Sequence, residues 1–527
     1  MAKRQLDQSS GPTGQSDPKK KKWVIMLYIS ADSTLANFAI ESLKQIKQSA
    51  DADVVVAAQF AIDAPAGQNL PRYVFDHRSG PDVSIDQYVR EFVSVPCAET
   101  EQETFANFLT WAYEEIQADY HILILWGHGP ELLLQPSAEA DPIDPGNLEG
   151  PTANRRLYLT PLQLRQAFQA AGIEQRSTQS TETAKKGKRH LDIVGFDACS
   201  MGMLEVAYEI RAFADYMVAS QDDVPDLSFP YDSLVRKIQN APDPRTLSIH
   251  AVDEYVRAYQ DYIYTPRTDM NQVTLSAIDL ERLDDPNGLG NGLQSLAAAL
   301  LKAQGQGGLD GLIIRCRASA QGFACGLYVD LFGFCDELRG ALSCSGKIPK
   351  GNSDAIIDAC DKICTALQAA SGCILANRAS NRDRCHGLSL YFPYLSEDDR
   401  VGIQQPLVKG GNGTLGGKGI PSVLNEVACN ILLCFRRQLI KDTEGYYGKL
   451  ALSVGTEWSR FIRCFWSCVL AQCEPTHLDL KYSAQQCAIN LCSCNCPGKP
   501  TVKEIKGEKT NRSHPREPRS RRRGSAG

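Results

Sequence analysis

Four short runs in this chain, VIMLYI (24–29), DVVVAAQF (53–60), HILILW (121–126) and LDIVGF (191–196), are apolar on consecutive residues rather than on alternate ones. A strand with one wet face alternates apolar and polar side chains, so a run with no polar face belongs to a strand covered on both sides. Helical patterns separate the runs. Leu35 to Ile46 supplies one, and Thr100 with Glu103 forms a capping box before Phe105, Phe108, Leu109, Ala112 and Ile116, which share a helical face. Thr160-Pro161-Leu162-Gln163 is a second capping box, with proline at the first helical position, and opens a helix to about Ala171. A further helix carrying Met203, Val206, Ala207 and Ile210 leads into the strand DYMVAS, 215–220. Strands joined by helical crossovers predict an α/β fold with a mostly parallel sheet and helices on both faces, from Trp23 to about Ile238. Sheets of that kind bind ligands at the carboxyl ends of their strands.

Two of the runs end there in a reactive side chain. His128 sits between two glycines, and Cys199 follows Asp197-Ala198 just before a helical pattern. A thiol attacks a carbonyl as thiolate, which is scarce at a free pKa of ~8.5 unless a neighbouring imidazole takes the proton and later returns it to the leaving group. The N–H of Gly129 and the N–H of Cys199, at the start of a helix, suit an oxyanion hole. Alone, a buried cysteine or a histidine-glycine turn is ordinary. Both at the edge where this architecture places its sites are a candidate nucleophile and base.

HILILWGHG, GFDACSMGMLEVAYEI and MVASQDDVPDLSFPYDSLV closely resemble the clostripain family of cysteine peptidases, in the caspase-like clan. WVIMLYISADSTL and DADVVVAAQF are similar to the family's opening elements, GLYVDLFGF and GLSLYFPYL to its later strands, and YGKLALSVGTEWSRFI to its final helical segment. The resemblance spans roughly residues 23–468. It implies a caspase-like sheet with additional C-terminal α/β and helical elements, Cys199 as nucleophile, His128 as general base and acid, and the Gly129 and Cys199 amides as oxyanion donors. The implied activity is endopeptidase cleavage after Arg or Lys through a thioester acyl-enzyme, on peptide or protein substrates with basic residues. Asp197, two residues before the nucleophile in an extended segment, points to the same side as Cys199, where a carboxylate pairs with a substrate cation; a helix amino-terminal charge is its alternative reading. A second acid is expected from Asp222, Asp223 or Asp226, with Asp222 favoured by its place after the strand, while Asp32 reads as an N-cap.

Family members are activated by self-cleavage after a basic residue between histidine and cysteine. The 131–190 insert offers Arg155, Arg156, Lys185, Lys186, Lys188 and Arg189, and the Lys185 to Arg189 run is favoured because GIEQRSTQSTETAKKGKR has the composition of a disordered loop. No cofactor is expected; calcium enters by family resemblance alone, since there is no EF-hand loop. The competing reading is a catalytically idle caspase-like scaffold or binding module.

At 527 residues the chain is too long for one ordinary core. The expected division is a basic leader at 1–22, a catalytic core at 23–243, an α/β extension at 244–409, a glycine-rich joint and helical segment at 410–472, and a Cys-rich basic tail at 473–527. Helices are expected near 244–262, 280–302, 354–370 and 422–468, and strands at VTLSAIDL, GLYVDLF and HGLSLYFPYL. The net charge of −6 argues against nucleic acid, and no apolar run is long enough to span a membrane. Of nineteen cysteines only Cys97 and Cys199 precede residue 316; an odd total without an apolar leader predicts mostly reduced thiols and a cytoplasmic location. Cys487, Cys492, Cys494 and Cys496 do not have a zinc-ligand spacing. His386-Gly387, which precedes a strand rather than ending one, reads as a turn.

Overall fold

The computed structural model describes residues 21–31, 35–49, 53–62, 69–76, 91–98, 100–127, 129, 159–176, 189–260, 273–324, 327–368, 372–380, 384–393 and 446–472. His128, Asp32, the candidate cleavage residues Arg155, Arg156, Lys185, Lys186 and Lys188, and the cysteines beyond 472 lie outside them.

In chain order the elements are β1 (Lys21–Ala31), α1 (Ala36–Ser49), β2 (Val54–Ile62), β3 (Asn69–Asp76), β4 (Glu91–Pro96), α2 (Glu101–Glu115), β5 (Ala118–Gly127), α3 (Pro161–Ala170), β6 (Leu191–Asp197), α4 (Leu204–Ile210) and β7 (Ala214–Ala219). There follow α5 (Tyr231–Asn240), α6 (Pro244–Gln260), β8 (Val273–Asp279), α7 (Leu289–Ala303), α8 (Leu309–Ser319), β9 (Gly322–Phe323), β10 (Tyr328–Asp330), α9 (Leu331–Ser343), α10 (Lys350–Gln368), β11 (Ile374–Ser380), β12 (Ser389–Tyr391), α11 (Ala451–Gly455) and α12 (Trp458–Gln472). Among the described residues one sheet runs β11-β8-β7-β6-β5-β1-β2-β3-β4. Its centre, β7-β6-β5-β1-β2, is parallel, and both margins are antiparallel. The expected mostly parallel sheet with helices on both faces is therefore the architecture of the chain.

The consecutive apolar residues of β1 show why. Val24, Met26 and Tyr28 enter the core under α2, α3 and α4, while Trp23, Ile25, Leu27 and Ile29 enter the core under α1, α5 and α6, all at 2 % exposure or less. Each large side chain so covered contributes about 1.5–3 kcal/mol. The second capping box forms as the sequence implies, with the Thr160 side chain accepting from the Gln163 N–H and Gln163 reaching back. At Thr100 only the acceptance from Glu103 N–H is made.

Three expectations are corrected. GLYVDLF and HGLSLYFPYL shrink to three-residue strands in a small second sheet, β12-β10-β9, because Asp330 caps α9 immediately after β10. β3, β4 and β11 extend the main sheet although their mixed sequences did not announce it. The helix after Cys199 starts at Leu204, and all seven of its residues are buried, Glu205 and Glu209 included. β8 and β11, from the 244–409 stretch, hydrogen-bond into the same sheet as the first 243 residues.

Candidate active site

Cys199 stands two residues beyond the end of β6, at the carboxyl edge of the parallel strands and half-buried. The chain does not enter a helix there. Ser200 adopts a left-handed φ of 54°, a conformation that costs a non-glycine residue about 1–3 kcal/mol and persists only where neighbours enforce it. They do: Ser200 N–H donates to the Asp222 carbonyl at 2.9 Å, Gly202 N–H to the Ser220 carbonyl at 2.6 Å, and Met203 bridges to Ser389. The loop carrying the thiol is thus stitched to the segment leaving β7. That segment returns a contact, since Val224 N–H donates to Cys199 Sγ at 3.3 Å.

Burial pushes the Cys199 thiol up to about 11; the Val224 amide opposes the rise, and the charges of Asp223, Asp197 and Asp222 add to it. Such a thiol is protonated at neutral pH, so its chemistry needs a proton acceptor at the moment of attack.

Asp197 closes β6 and is 4 % exposed. Its Oδ2 accepts from the Ser228 hydroxyl, from the Tyr231 hydroxyl at 2.6 Å and from Phe229 N–H at 3.2 Å. Trp126 Nε1 donates to the same Ser228 hydroxyl at 2.7 Å, and Ser228 has a left-handed φ of 68°. Oδ1 is buried with no hydrogen-bond partner among the described residues. Burial is the largest influence on the carboxyl and raises it to about 6, against the three donors. Leu35, Trp126, Gly127, Asp197, Cys199 and Asp226 line a cleft of about 50 Å³.

Of the three acids considered after β7, Asp226 is the one on this cleft, exposed at its rim. Asp222, the favoured one, is 9 % exposed, is not among the residues lining this cleft, and uses its main chain to hold Ser200 and Ser220. Asp223 is exposed and also off the cleft.

Gly129 packs directly on the nucleophile's backbone. A Cβ there would lie 1.7 Å from the Cys199 carbonyl oxygen and 2.5 Å from its nitrogen, so only glycine fits. Gly127, on the other side of His128, ends β5 opposite Ser30 of β1. The Cys199 amide, expected at a helix start, instead lies in the turn five residues ahead of α4.

Sequence reasoning missed Ser228 and Tyr231 as partners of Asp197, and Glu205. Glu205 Oε1 accepts from Tyr391 N–H at 2.8 Å and from the Tyr447 hydroxyl at 2.8 Å, and burial raises its carboxyl to about 7. It ties α4, next to the Cys199 loop, to the segment that starts at Tyr446. An acid inside an otherwise apolar helix pattern, MLEVAYEI, was the available signal.

At the opposite, amino edge of the sheet, His190, Asp192 and Asp215 bring potential metal-ligand atoms within 4.8 Å of one another. Arg176 Nη2 lies 3.1 Å from the Asp215 Oδ1 that His190 Nε2 also approaches at 3.1 Å, so a guanidinium already supplies positive charge. A histidine ligand does not suit calcium, which takes oxygen donors. Arg189, one of the candidate cleavage residues, is at this edge: its guanidinium donates to the Ala171 carbonyl at 2.7 Å and to Glu114 at 3.2 Å, and its carbonyl accepts from Glu174 N–H at 2.9 Å.

A model of the clostripain family matches residues 168–328, which include Cys199 and Asp197. No curated protein matches the chain. Among solved structures it is similar to the secreted C11 cysteine protease iotapain from Bacteroides thetaiotaomicron, at 12 % identity and a TM-score of 0.48, over 73 % of this chain and 98 % of that one. A secreted C11 cysteine protease from the same organism with an irreversible peptide inhibitor gives 18 % identity and a TM-score of 0.44, over 73 % and 97 %. An inactive zymogen C11 protease from Parabacteroides distasonis gives 15 % and 0.45, over 74 % and 97 %. The first two of these structures are described as secreted proteins, against the expected cytoplasmic location. No helix among the described residues is long and apolar enough to cross a membrane.

Proposed function

We propose that the chain is a cysteine-type peptidase of the clostripain family, whose model matches residues 168–328, and that it cleaves peptide bonds after Arg or Lys with Cys199 as nucleophile and His128 as its base. One observation carries the specificity: the partners of Asp197 are two hydroxyls and an amide, none of them charged, and its second oxygen is buried beside the nucleophile. A substrate guanidinium or ammonium entering the cleft supplies the missing counter-charge, with Asp226 at the rim as a weaker, solvent-screened attraction.

His128 takes the Cys199 proton, and the thiolate attacks the scissile carbonyl. The imidazolium then protonates the leaving amine, and water attacks the thioester with His128 again as base. The close seat of Gly129 on the Cys199 backbone supports this, because consecutive Cα atoms are about 3.8 Å apart and His128 is its covalent neighbour. The Gly129 and Cys199 amides are the proposed oxyanion donors. This thiol chemistry needs no cofactor.

The chain tether decides how self-cleavage proceeds. β6 from Leu191 to Asp197 separates the pinned Arg189 from the nucleophile by roughly 20 Å at ~3.3 Å per residue. Lys185, Lys186 and Lys188 are within four residues of Arg189, a reach of at most about 14 Å. Cleavage in that run therefore requires a second molecule. Arg155 and Arg156 precede Thr160, the N-cap of α3, whose far end abuts Arg189 at the amino edge, so their tether begins toward the catalytic side. Intramolecular cleavage selects Arg155 or Arg156.

The test is hydrolysis of fluorogenic Arg, Lys, Leu and Glu amides by wild type, Cys199→Ala and His128→Ala, before and after nicking by an added protease. Turnover of the Arg and Lys amides, lost in both variants, is expected. Equal turnover of the Leu amide would refute basic selectivity, and turnover that survives Cys199→Ala would refute the nucleophile.

A further inference from the structure

The segment that hydrogen-bonds the Cys199 sulfur is itself held from a distance. Residues 220–224 leave β7 without regular structure, and Gln221 is fully buried there. Gln221 Nε2 donates to Asp330 Oδ2 at 3.0 Å, and Gln221 Oε1 accepts from Gly387 N–H at 2.7 Å. Asp330, also fully buried, accepts from His386 N–H at 2.7 Å on Oδ2, and on Oδ1 from Gly333 N–H and His386 Nδ1, both at 2.7 Å. Phe332 stacks on the His386 ring with centroids 4.5 Å apart. Gly387 has a φ of 105°, which a side chain would oppose, and this turns its N–H toward Gln221.

Asp330 has no cation besides His386 among these partners, and its four donors come from three parts of the chain: β7's exit, the start of α9, and the strand approach to β12. Two residues beyond Gly387, Ser389 N–H donates to the Gly202 carbonyl at 2.9 Å. The second sheet therefore grips both halves of the site, the 200–203 turn through Ser389 and the 220–224 segment through Gln221. A histidine-glycine step that looks like a plain turn in sequence is the joint of this grip.

We propose that Gln221, Asp330 and His386 are positioning residues that hold the Val224 amide on the Cys199 sulfur. The inference rests on Cys199 as the nucleophile. His386 locks Asp330 from the solvent side, Asp330 orients the Gln221 amide, and Gln221 fixes the segment whose Val224 N–H meets Sγ. A fully buried carboxylate with four donors has one low-energy arrangement, which is why the segment is not free to drift. Loss of the lock releases a donor from the thiolate that forms during attack.

The experiment measures alkylation of Cys199 by iodoacetamide at pH 7, read on the Cys199 peptide by mass spectrometry because the chain has nineteen cysteines, alongside kcat and KM on an Arg amide. The proteins are wild type, Gln221→Leu, His386→Leu and His386→Asn, whose amide nitrogen stands in for Nδ1. Both leucine variants are expected to lower alkylation and kcat roughly tenfold at unchanged KM, the scale of one hydrogen bond to a charged group, and His386→Asn restores both. Thermal midpoints identify folded protein. Should Gln221→Leu not fold, the His386 pair decides, since that side chain is 25 % exposed. Wild-type alkylation in folded His386→Leu, or His386→Asn as slow as His386→Leu, overturns the proposal. If wild type hydrolyses no basic amide while alkylation still follows the network, the peptidase reading fails and this one stands.

Discussion

The two edges of the parallel sheet both carry charged groups and treat them in opposite ways. At the amino edge Asp215 meets Arg176 and His190, and Asp192 accepts His121 N–H at 2.7 Å. At Asp215 charge is answered by charge. At the carboxyl edge Asp197 has only neutral donors, its carboxyl is raised to about 6, the Cys199 thiol is raised to about 11, and Ser200 and Ser228 sit in left-handed backbone. An edge that is neutralised internally serves the fold. An edge where, among the described residues, a buried carboxylate meets only neutral donors and a buried thiol stays protonated is suited to what a substrate cation and an imidazole supply.

The contrast is broken most sharply by altering the close approach at the nucleophile. Gly129→Ala places a methyl where the Cys199 carbonyl is, so the two backbones separate by an ångström or more, and kcat is expected to fall about 100-fold or further. Circular dichroism and a thermal midpoint near wild type accompany the loss if the damage is local to the site. Activity within threefold of wild type would show that Gly129 does not set the geometry.

Charge comes next. Asp197→Asn keeps acceptors for Ser228 and Tyr231 but removes the countercharge, and the Arg-over-Leu preference in kcat/KM is expected to fall about 30-fold or more. Asp226→Asn costs a few-fold because it is exposed and screened, and Asp222→Asn leaves the preference unchanged. The same Asp197 variant tests the burial argument. A carboxyl whose folded value, about 6, exceeds its ordinary value of 3.8 contributes stability that is complete below 3.8 and is lost as pH rises through 6. Relative to wild type, Asp197→Asn therefore gains up to about 3 kcal/mol between pH 4 and pH 8, read from urea midpoints. A difference that does not change with pH would refute the raised carboxyl.

How much of this the sequence disclosed follows from the range of each interaction. β1, β2, β5 and β6 were legible because burial on both faces imprints every consecutive residue, and Cys199 and Asp197 were legible because they end such a strand. β3 and β4 were not: Pro71, Arg72, Glu91 and Ser94 break the apolar runs at a sheet margin. The partners of Asp197 lie 31 to 34 positions away, and the Asp330 to His386 contact spans 56. Nothing local marks such pairs, so Ser228, Tyr231 and Gln221 went unread. The choice among Asp222, Asp223 and Asp226 turned on the path of five irregular residues, which neither periodicity nor spacing specifies.

The length of each tether distinguishes the two edges kinetically. Nicking at Arg155 or Arg156 is expected to be first order and independent of protein concentration, whereas nicking at Lys185, Lys186 or Lys188 rises with concentration and occurs when Cys199→Ala protein is mixed with active enzyme. Mass spectrometry of the fragments over a tenfold dilution separates them. Concentration-independent cleavage after Lys186 would mean that β6 does not separate Arg189 from Cys199 as described.

The smallest effect is reserved for the amino edge. Asp215→Asn removes the carboxylate shared by Arg176 and His190, whose side chains are 14 % and 12 % exposed. Arg176 keeps its bond to the Ala214 carbonyl and its own N–H stays on Ala212, so the arm entering the insert remains attached by its backbone. The loss is therefore about 1 kcal/mol in the urea midpoint, with kcat/KM on small Arg amides unchanged because β6 stands between this edge and the thiol. A fall in kcat/KM larger than the loss of folded protein would mean that the two edges are coupled through the sheet, and the division between a neutralised edge and a primed one would no longer hold.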